Sequence, residues 1–211
     1  MKRKSDPFII KISKERSARM LKKCKDKLQA GLKYSALIDA QQAIMRRNDD
    51  YMAHYCRSLC MSAIGDYAEA FSEINKCLDL YGDFEDALIE RGNLYQCMEE
   101  YSKSVLDYTK ALDVSPKNQS ALYNRGYVYL ICGMFNEAAK DFLNIVKDHP
   151  YDADAYNNLG LAYYQKGDVA AGLAYLHKSL DLNPLSDAKE NLNIISKEIY
   201  NKNRKKRKGT E

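Results

Sequence analysis

Tryptophan is absent from the 211 residues, and histidine and proline are scarce, at 3 and 4. Three scattered histidines, His54, His149 and His177, give a histidine-based catalytic pair or metal site little to draw on. No run approaches the ~20 consecutive apolar residues that span a bilayer. Only Phe8-Ile9-Ile10 follows the charged start before Lys11, short of the ~7–15-residue apolar core of a secretory signal. A cytoplasmic location is therefore expected, with the nucleus open if the host is a eukaryote. The six cysteines show no framework spacing, so no disulfide scaffold is expected. A Gly-x-Ser-x-Gly elbow is missing, and Gly167-Asp-Val-Ala-Ala-Gly172 lacks the Lys-Ser/Thr that completes a phosphate loop. These absences argue against an enzyme: no catalytic residue, cofactor or metal is expected.

One metal candidate is worth weighing. Cys56 and Cys60 lie four apart, with His54 close by, but no second pair converges on them as zinc would need. Cysteine here reads as a small hydrophobe.

The formal charge of +4 conceals a division along the chain. Residues 1–33 hold 12 Lys/Arg against 3 Asp/Glu, and residues 197–211 hold 7 against 2. The middle, 34–196, holds 14 against 24. An acidic body between basic ends concerns partners more than fold.

What is present is a period. Pro116, Pro150 and Pro184 recur every 34 residues, and upstream of each lies Gly92 with Tyr95, Gly126 with Tyr129, Gly160 with Tyr163. The strings Glu-Arg-Gly-Asn-Leu-Tyr (90–95), Asn-Arg-Gly-Tyr-Val-Tyr (124–129) and Asn-Leu-Gly-Leu-Ala-Tyr (158–163) match one another. Stepping back gives unit starts at Tyr51 and Ser17, where Ser58 and Cys24 take the glycine position. Each unit reads as two antiparallel helices; in the third they run roughly 85–98 and 101–114. Gly31, Gly65, Gly133 and Gly167 mark the turns inside the units, with Glu99-Glu100 in the third. Asp66 with Glu69 reads as a capping box. A first helix capped by Ser13 and ended by Gly31 is expected.

This pattern resembles the tetratricopeptide repeat family. The resemblance implies an all-α, right-handed superhelical α-solenoid of five helix-turn-helix repeats: 17–50, 51–84, 85–118, 119–152 and 153–186. A basic lead (1–16) precedes the array. After it come an amphipathic capping helix (187–203), with Leu185, Ala188, Leu192, Ile195 and Ile199 on its apolar face, and a disordered basic tail (204–211).

The family's first helix in each unit lines a concave groove. Carried onto this chain, its inward positions include Tyr55, Asn93, Tyr123, Asn124, Tyr127, Asn157, Asn158 and Tyr164. Asparagine can bond both N–H and C=O of an extended peptide, and tyrosine adds rigid contact with a polar tip. Asn124 and Asn158 share one unit position and resemble the start of the asparagine ladder of O-linked N-acetylglucosamine transferase, with Cys56 and Glu90 on the earlier rungs. A carboxylate clamp of the co-chaperone type is not expected, because Ile89, Asp154 and Asn158 stand where its cations would be.

The implied function is a protein-interaction module, an adaptor, scaffold or assembly factor, that binds a partner's peptide segment. Two alternatives stay open. A nucleic-acid-associated or nuclear factor would act through its basic ends, above all Arg204, Lys205, Lys206, Arg207 and Lys208. A secretion-type chaperone would shield a partner's apolar segment.

Overall fold

The 34-residue period becomes geometry, helix for helix. The computed structural model describes residues 7–208, with side chains over 15–202 and at 204 and 205. Among them are eleven helices and no strand: α1 (Pro7–Gln29), α2 (Lys33–Arg46), α3 (Tyr51–Ile64), α4 (Tyr67–Leu80), α5 (Glu85–Cys97), α6 (Tyr101–Val114), α7 (Gln119–Ile131), α8 (Phe135–Asp148), α9 (Ala153–Gln165), α10 (Val169–Leu182) and α11 (Ala188–Lys208). The chain divides into two units between Val114 and Ser115. Within the first, α3 packs on α4 and α5 on α6; within the second, α7 packs on α8 and α9 on α10.

Local chemistry sets the helix ends. Asp50, Asn118 and Asp152 precede α3, α7 and α9 and accept the N–H of Met52, Ala121 and Ala155. Each satisfies one of the donors a helix start leaves open. Asp66 accepts the Glu69 N–H at 3.1 Å. The reciprocal half of the expected capping box is not made, because the Glu69 carboxylate pairs with Arg57 at 2.9 Å.

The turn inside each pair needs a left-handed residue. Gly31, Gly65, Gly133 and Gly167 supply it with φ of 73° to 97°. In the third pair the same place falls to Glu99, at φ 59°.

Between paired helices the core keeps strict register. Ile74, Tyr108, Phe142 and Leu176 are each fully buried and sit 34 residues apart. Burying such a side chain stabilises by roughly 1.5–3 kcal/mol. Opposite them stand Ser58, Gly92, Gly126 and Gly160. A Cβ on Gly92 would come within 2.5 Å of the Tyr108 ring, and one on Gly160 within 2.7 Å of Leu176.

A second register runs beside the first and was not read from the sequence. Arg91 grips Asp107 with two bonds of 2.7 and 2.8 Å, and Arg125 grips Asp141 with two of 2.8 and 2.7 Å. Arg57 makes the equivalent bond to the buried Glu73 at 2.7 Å. Residues 159 and 175, next in the series, are Leu159 and Tyr175 instead.

The ends differ from expectation. α1 begins at Pro7, before Ser13, since proline at a first helical position sacrifices no needed N–H. α11 continues through residues 204–208, placed in a disordered tail by the sequence reading; residues 1–6 and 209–211 lie outside the described residues. Ala188, Ile195, Leu192 and Ile199 pack with Leu176, as the apolar stripe predicted. Leu185 precedes the helix and is 93% exposed.

Candidate functional site

In the first unit, Tyr55 lies in α3 and is buried, its ring edge-on to Phe84 at 5.0 Å. Burial, with the nearby charges of Asp86 and Glu90, raises its pKa. Asn93 of α5 is half-buried, and its Oδ1 accepts the Tyr108 hydroxyl at 2.7 Å. Tyr108 thus reaches from the core between α5 and α6 to the polar side of α5. Gln96 Oε1 lies 3.1 Å from the same hydroxyl, but a phenol has one proton, and Asn93 holds the shorter contact. Burial pushes the Tyr108 pKa up to about 12, so this hydroxyl stays a donor at neutral pH.

Glu90 sits beside Asn93, on the rung that elsewhere carries asparagine. Burial raises its pKa, against the opposing hydrogen bonds of Ser62 and Asn93. Asp86 pairs with Lys25 of α1 at 3.6 Å. His54, weighed above as a metal ligand, is engaged at both ring nitrogens: Nδ1 meets Glu73 at 2.7 Å and Nε2 meets the Asn48 carbonyl at 3.0 Å.

In the second unit, α7 carries Tyr123, Asn124 and Tyr127, and Tyr127 is 42% exposed. Asn158 of α9 is buried and donates its Nδ2 to the Tyr123 hydroxyl at 2.8 Å. Its neighbour Asn157 accepts from Asn191 of α11 at 2.8 Å. Tyr164 donates to Glu198 of α11 at 2.6 Å, a bond that raises the tyrosine's pKa. The terminal helix therefore covers Asn157 and Tyr164, while Tyr127 stays open.

The structure thus brings Tyr123 together with Asn158, and Asn93 with Tyr108; Tyr55 joins the core around Phe84. The part played by α11 was missed. Its signal was available: Asn191 lies one period of 34 after Asn157, and Glu198 lies 34 after Tyr164. Arg204 and Lys205 are exposed, and the side chains of Lys206, Arg207 and Lys208 lie outside the described residues. Chemically, the surface offers phenols and amides that give and accept hydrogen bonds. Among the described residues no group of three or more His, Cys, Asp or Glu is placed to hold a metal, and no helix is long and apolar enough to cross a membrane.

Comparison with known proteins agrees with this geometry. Residues 133–187 match one tetratricopeptide-repeat family model and residues 107–140 another. A search of curated proteins finds no match. Among solved structures, the chain is similar to YrrB, a TPR protein with an unusual peptide-binding site. That likeness is at 19% identity and TM-score 0.69, over 89% of this chain and 98% of that one. It is similar to MamA from Desulfovibrio magneticus RS-1 at 18% identity and TM-score 0.69, over 81% and 97% of the two chains. Pseudomonas aeruginosa PilF gives 14% identity and TM-score 0.72 over 81% and 78%.

Proposed function

Because the chain is a tetratricopeptide-repeat protein, we propose that it is a non-enzymatic adaptor or assembly factor that binds a peptide segment of a partner protein. The observation that carries this reading is the polar aromatic surface of α7, where Tyr127 is exposed next to Tyr123 and Asn124. Tyrosines and amides of this kind bind a peptide main chain with little regard to sequence. YrrB's peptide-binding site supports the same class of ligand. The peptide contacts Tyr123, Asn124, Tyr127 and Asn158; towards the C-terminus it abuts α11, which already holds Asn157 and Tyr164. In the first unit, taken by itself, Asn93 holds the repeat position that Tyr127 holds in the second. No carboxylate clamp takes part, since Ile89, Asp154 and Asn158 fill its cationic positions. The cytoplasm is the proposed setting, consistent with six free thiols.

The test compares the intact chain, the Asn124→Ala/Tyr127→Ala double variant and a chain lacking 203–211 as baits in lysate. Nuclease is present, and the salt is about 0.3 M to screen loose charge contacts. A discrete protein that the double variant retains at least about tenfold less, with helicity unchanged, supports the peptide-binding surface. Equal retention by the folded double variant rules it out. Capture lost only with the tail, or only with nuclease, favours the alternative in which exposed Arg204 and Lys205 bind nucleic acid.

A further inference from the structure

The repeat register puts two sulfurs in contact at the first junction of the array. Cys24 takes the glycine position of α1, and Cys60 lies 36 residues on, in α3; their Sγ atoms are 3.9 Å apart. Both residues are buried, at 5% and 0% exposure. The same register holds Ser58 with Leu94 in the next repeats and Gly126 with Ala162 later, so the sulfur pair belongs to this junction alone. The reading of cysteine as a small hydrophobe accounts for each residue separately but not for their meeting.

We propose that Cys24 and Cys60 form a dithiol site, oxidised reversibly by small hydroperoxides to a disulfide that staples α1 to α3. A disulfide needs sulfurs about 2.0 Å apart, so side-chain rotation must close roughly half of the present separation. The Cys24 sulfur also lies 3.7 Å from the Cys56 carbonyl oxygen. Contacts with Cys56 and Cys60 draw the Cys24 pKa down, while contact with Cys24, together with burial, raises those of Cys56 and Cys60. Cys24 is the less enclosed of the pair, at 5% exposure against 0% for Cys60, and lies on the outermost helix, so it is the thiol that meets the peroxide first and reacts as its thiolate once that helix opens.

The chemistry balances. The Cys24 thiolate attacks the peroxide O–O bond and breaks it, giving a sulfenic acid and releasing an alcohol, or water from hydrogen peroxide. The Cys60 sulfur then attacks the sulfenic sulfur, the S–S bond forms, and a water leaves with the Cys60 proton. The two thiols lose two electrons and two protons, and the peroxide takes up both. α1 is the first helix of the array and packs chiefly on α2 and α3, so its local opening gives the peroxide access. Transient disulfides of this kind are the ones found in reducing compartments.

The experiment uses the full chain with Cys97→Ser and Cys132→Ser, which removes the two exposed thiols. It is treated with hydrogen peroxide, unfolded in N-ethylmaleimide and analysed by mass spectrometry without reductant. The expected result is a loss of two hydrogens, a linked peptide containing Cys24 and Cys60, and alkylated Cys56 and Cys77. The melting temperature rises by several degrees and returns on adding dithiothreitol, and Cys24→Ser abolishes the link. The site is overturned if Cys24 and Cys60 are both recovered alkylated at a peroxide dose that fully oxidises Cys97 and Cys132 in the native chain. A link from Cys24 to Cys56 overturns it equally, and a link with no rise in melting temperature overturns the staple.

Discussion

Ser58 of α3 donates its hydroxyl to the Ala70 carbonyl of α4 at 2.8 Å, and one repeat later the same bond runs the other way. There Ser104 of α6 donates to the Gly92 carbonyl of α5 at 2.9 Å. The two backbones are close enough for a serine on either helix to bridge them, and the partner position must then be small. Ser58→Ala should cost about 1 kcal/mol. Gly92→Ala, which drives a methyl into the Tyr108 ring, should cost about 1–3 kcal/mol. Urea denaturation followed by circular dichroism measures both.

Glu99 should be replaceable with profit. It holds φ 59°, a conformation its four counterparts assign to glycine. A non-glycine residue there carries a penalty of about 1–2 kcal/mol. Glu99→Gly should raise stability by about 1 kcal/mol, and a melting temperature that stays level or falls would contradict the strain.

Asp107 and Arg91 form a two-bond pair in which the acid is 2% exposed. Asp107→Leu alone strands a half-buried guanidinium and should cost about 3–5 kcal/mol. Adding Arg91→Met should recover most of that loss. A double-mutant cycle on Arg125 and Asp141 should give a similar coupling energy, because the two pairs share geometry.

Two carboxylates should respond to pH in opposite senses. For Glu73, burial alone would raise the pKa, but hydrogen bonds from Lys76 and His54 and the charge of Arg57 outweigh it and leave it lowered from 4.5. Its stabilisation is present above pH 4.5 and disappears as the pH falls through the folded value. For Glu90, burial wins and the pKa is raised from 4.5, so ionisation destabilises the fold as the pH climbs from 4.5 through the folded value. Melting curves from pH 3 to 7, taken as an experimental window of about four pH steps, should show Glu73→Gln losing to the parent at neutral pH and converging with it in acid. Glu90→Gln should gain at neutral pH and converge in acid.

The fold was legible because 34 residues separate every equivalent side chain, from the turn at Gly31 to the one at Gly167. What the repeat strings did not convey was pairing across helices. Arg57, Arg91 and Arg125 stand in register, and so do Glu73, Asp107 and Asp141, but the 16-residue step between them is visible only once two helices are laid side by side. The site was read in part for a related reason. Inward positions taken from the family treat every repeat alike, whereas Tyr55 is enclosed by Phe84 and Tyr164 is held by Glu198. Burial at a given unit position depends on the neighbouring element, and beyond the last repeat that neighbour is α11, whose Asn191 and Glu198 continue the 34-residue period without the glycine and proline that mark a unit.

At the close approach within each pair, the partners are Ser58 with Ala70, Gly92 with Ser104, Gly126 with Ala138 and Gly160 with Gly172. In the last pair each glycine faces the other helix's backbone, at 2.9 Å for a Cβ on either one. A helix lifted from one hairpin and set into another would bring a mismatched small residue against its new partner. For recombination, natural or in the laboratory, the smallest exchangeable part of this protein is therefore the hairpin, and a crossover placed in a turn within a hairpin would break what a crossover between hairpins preserves.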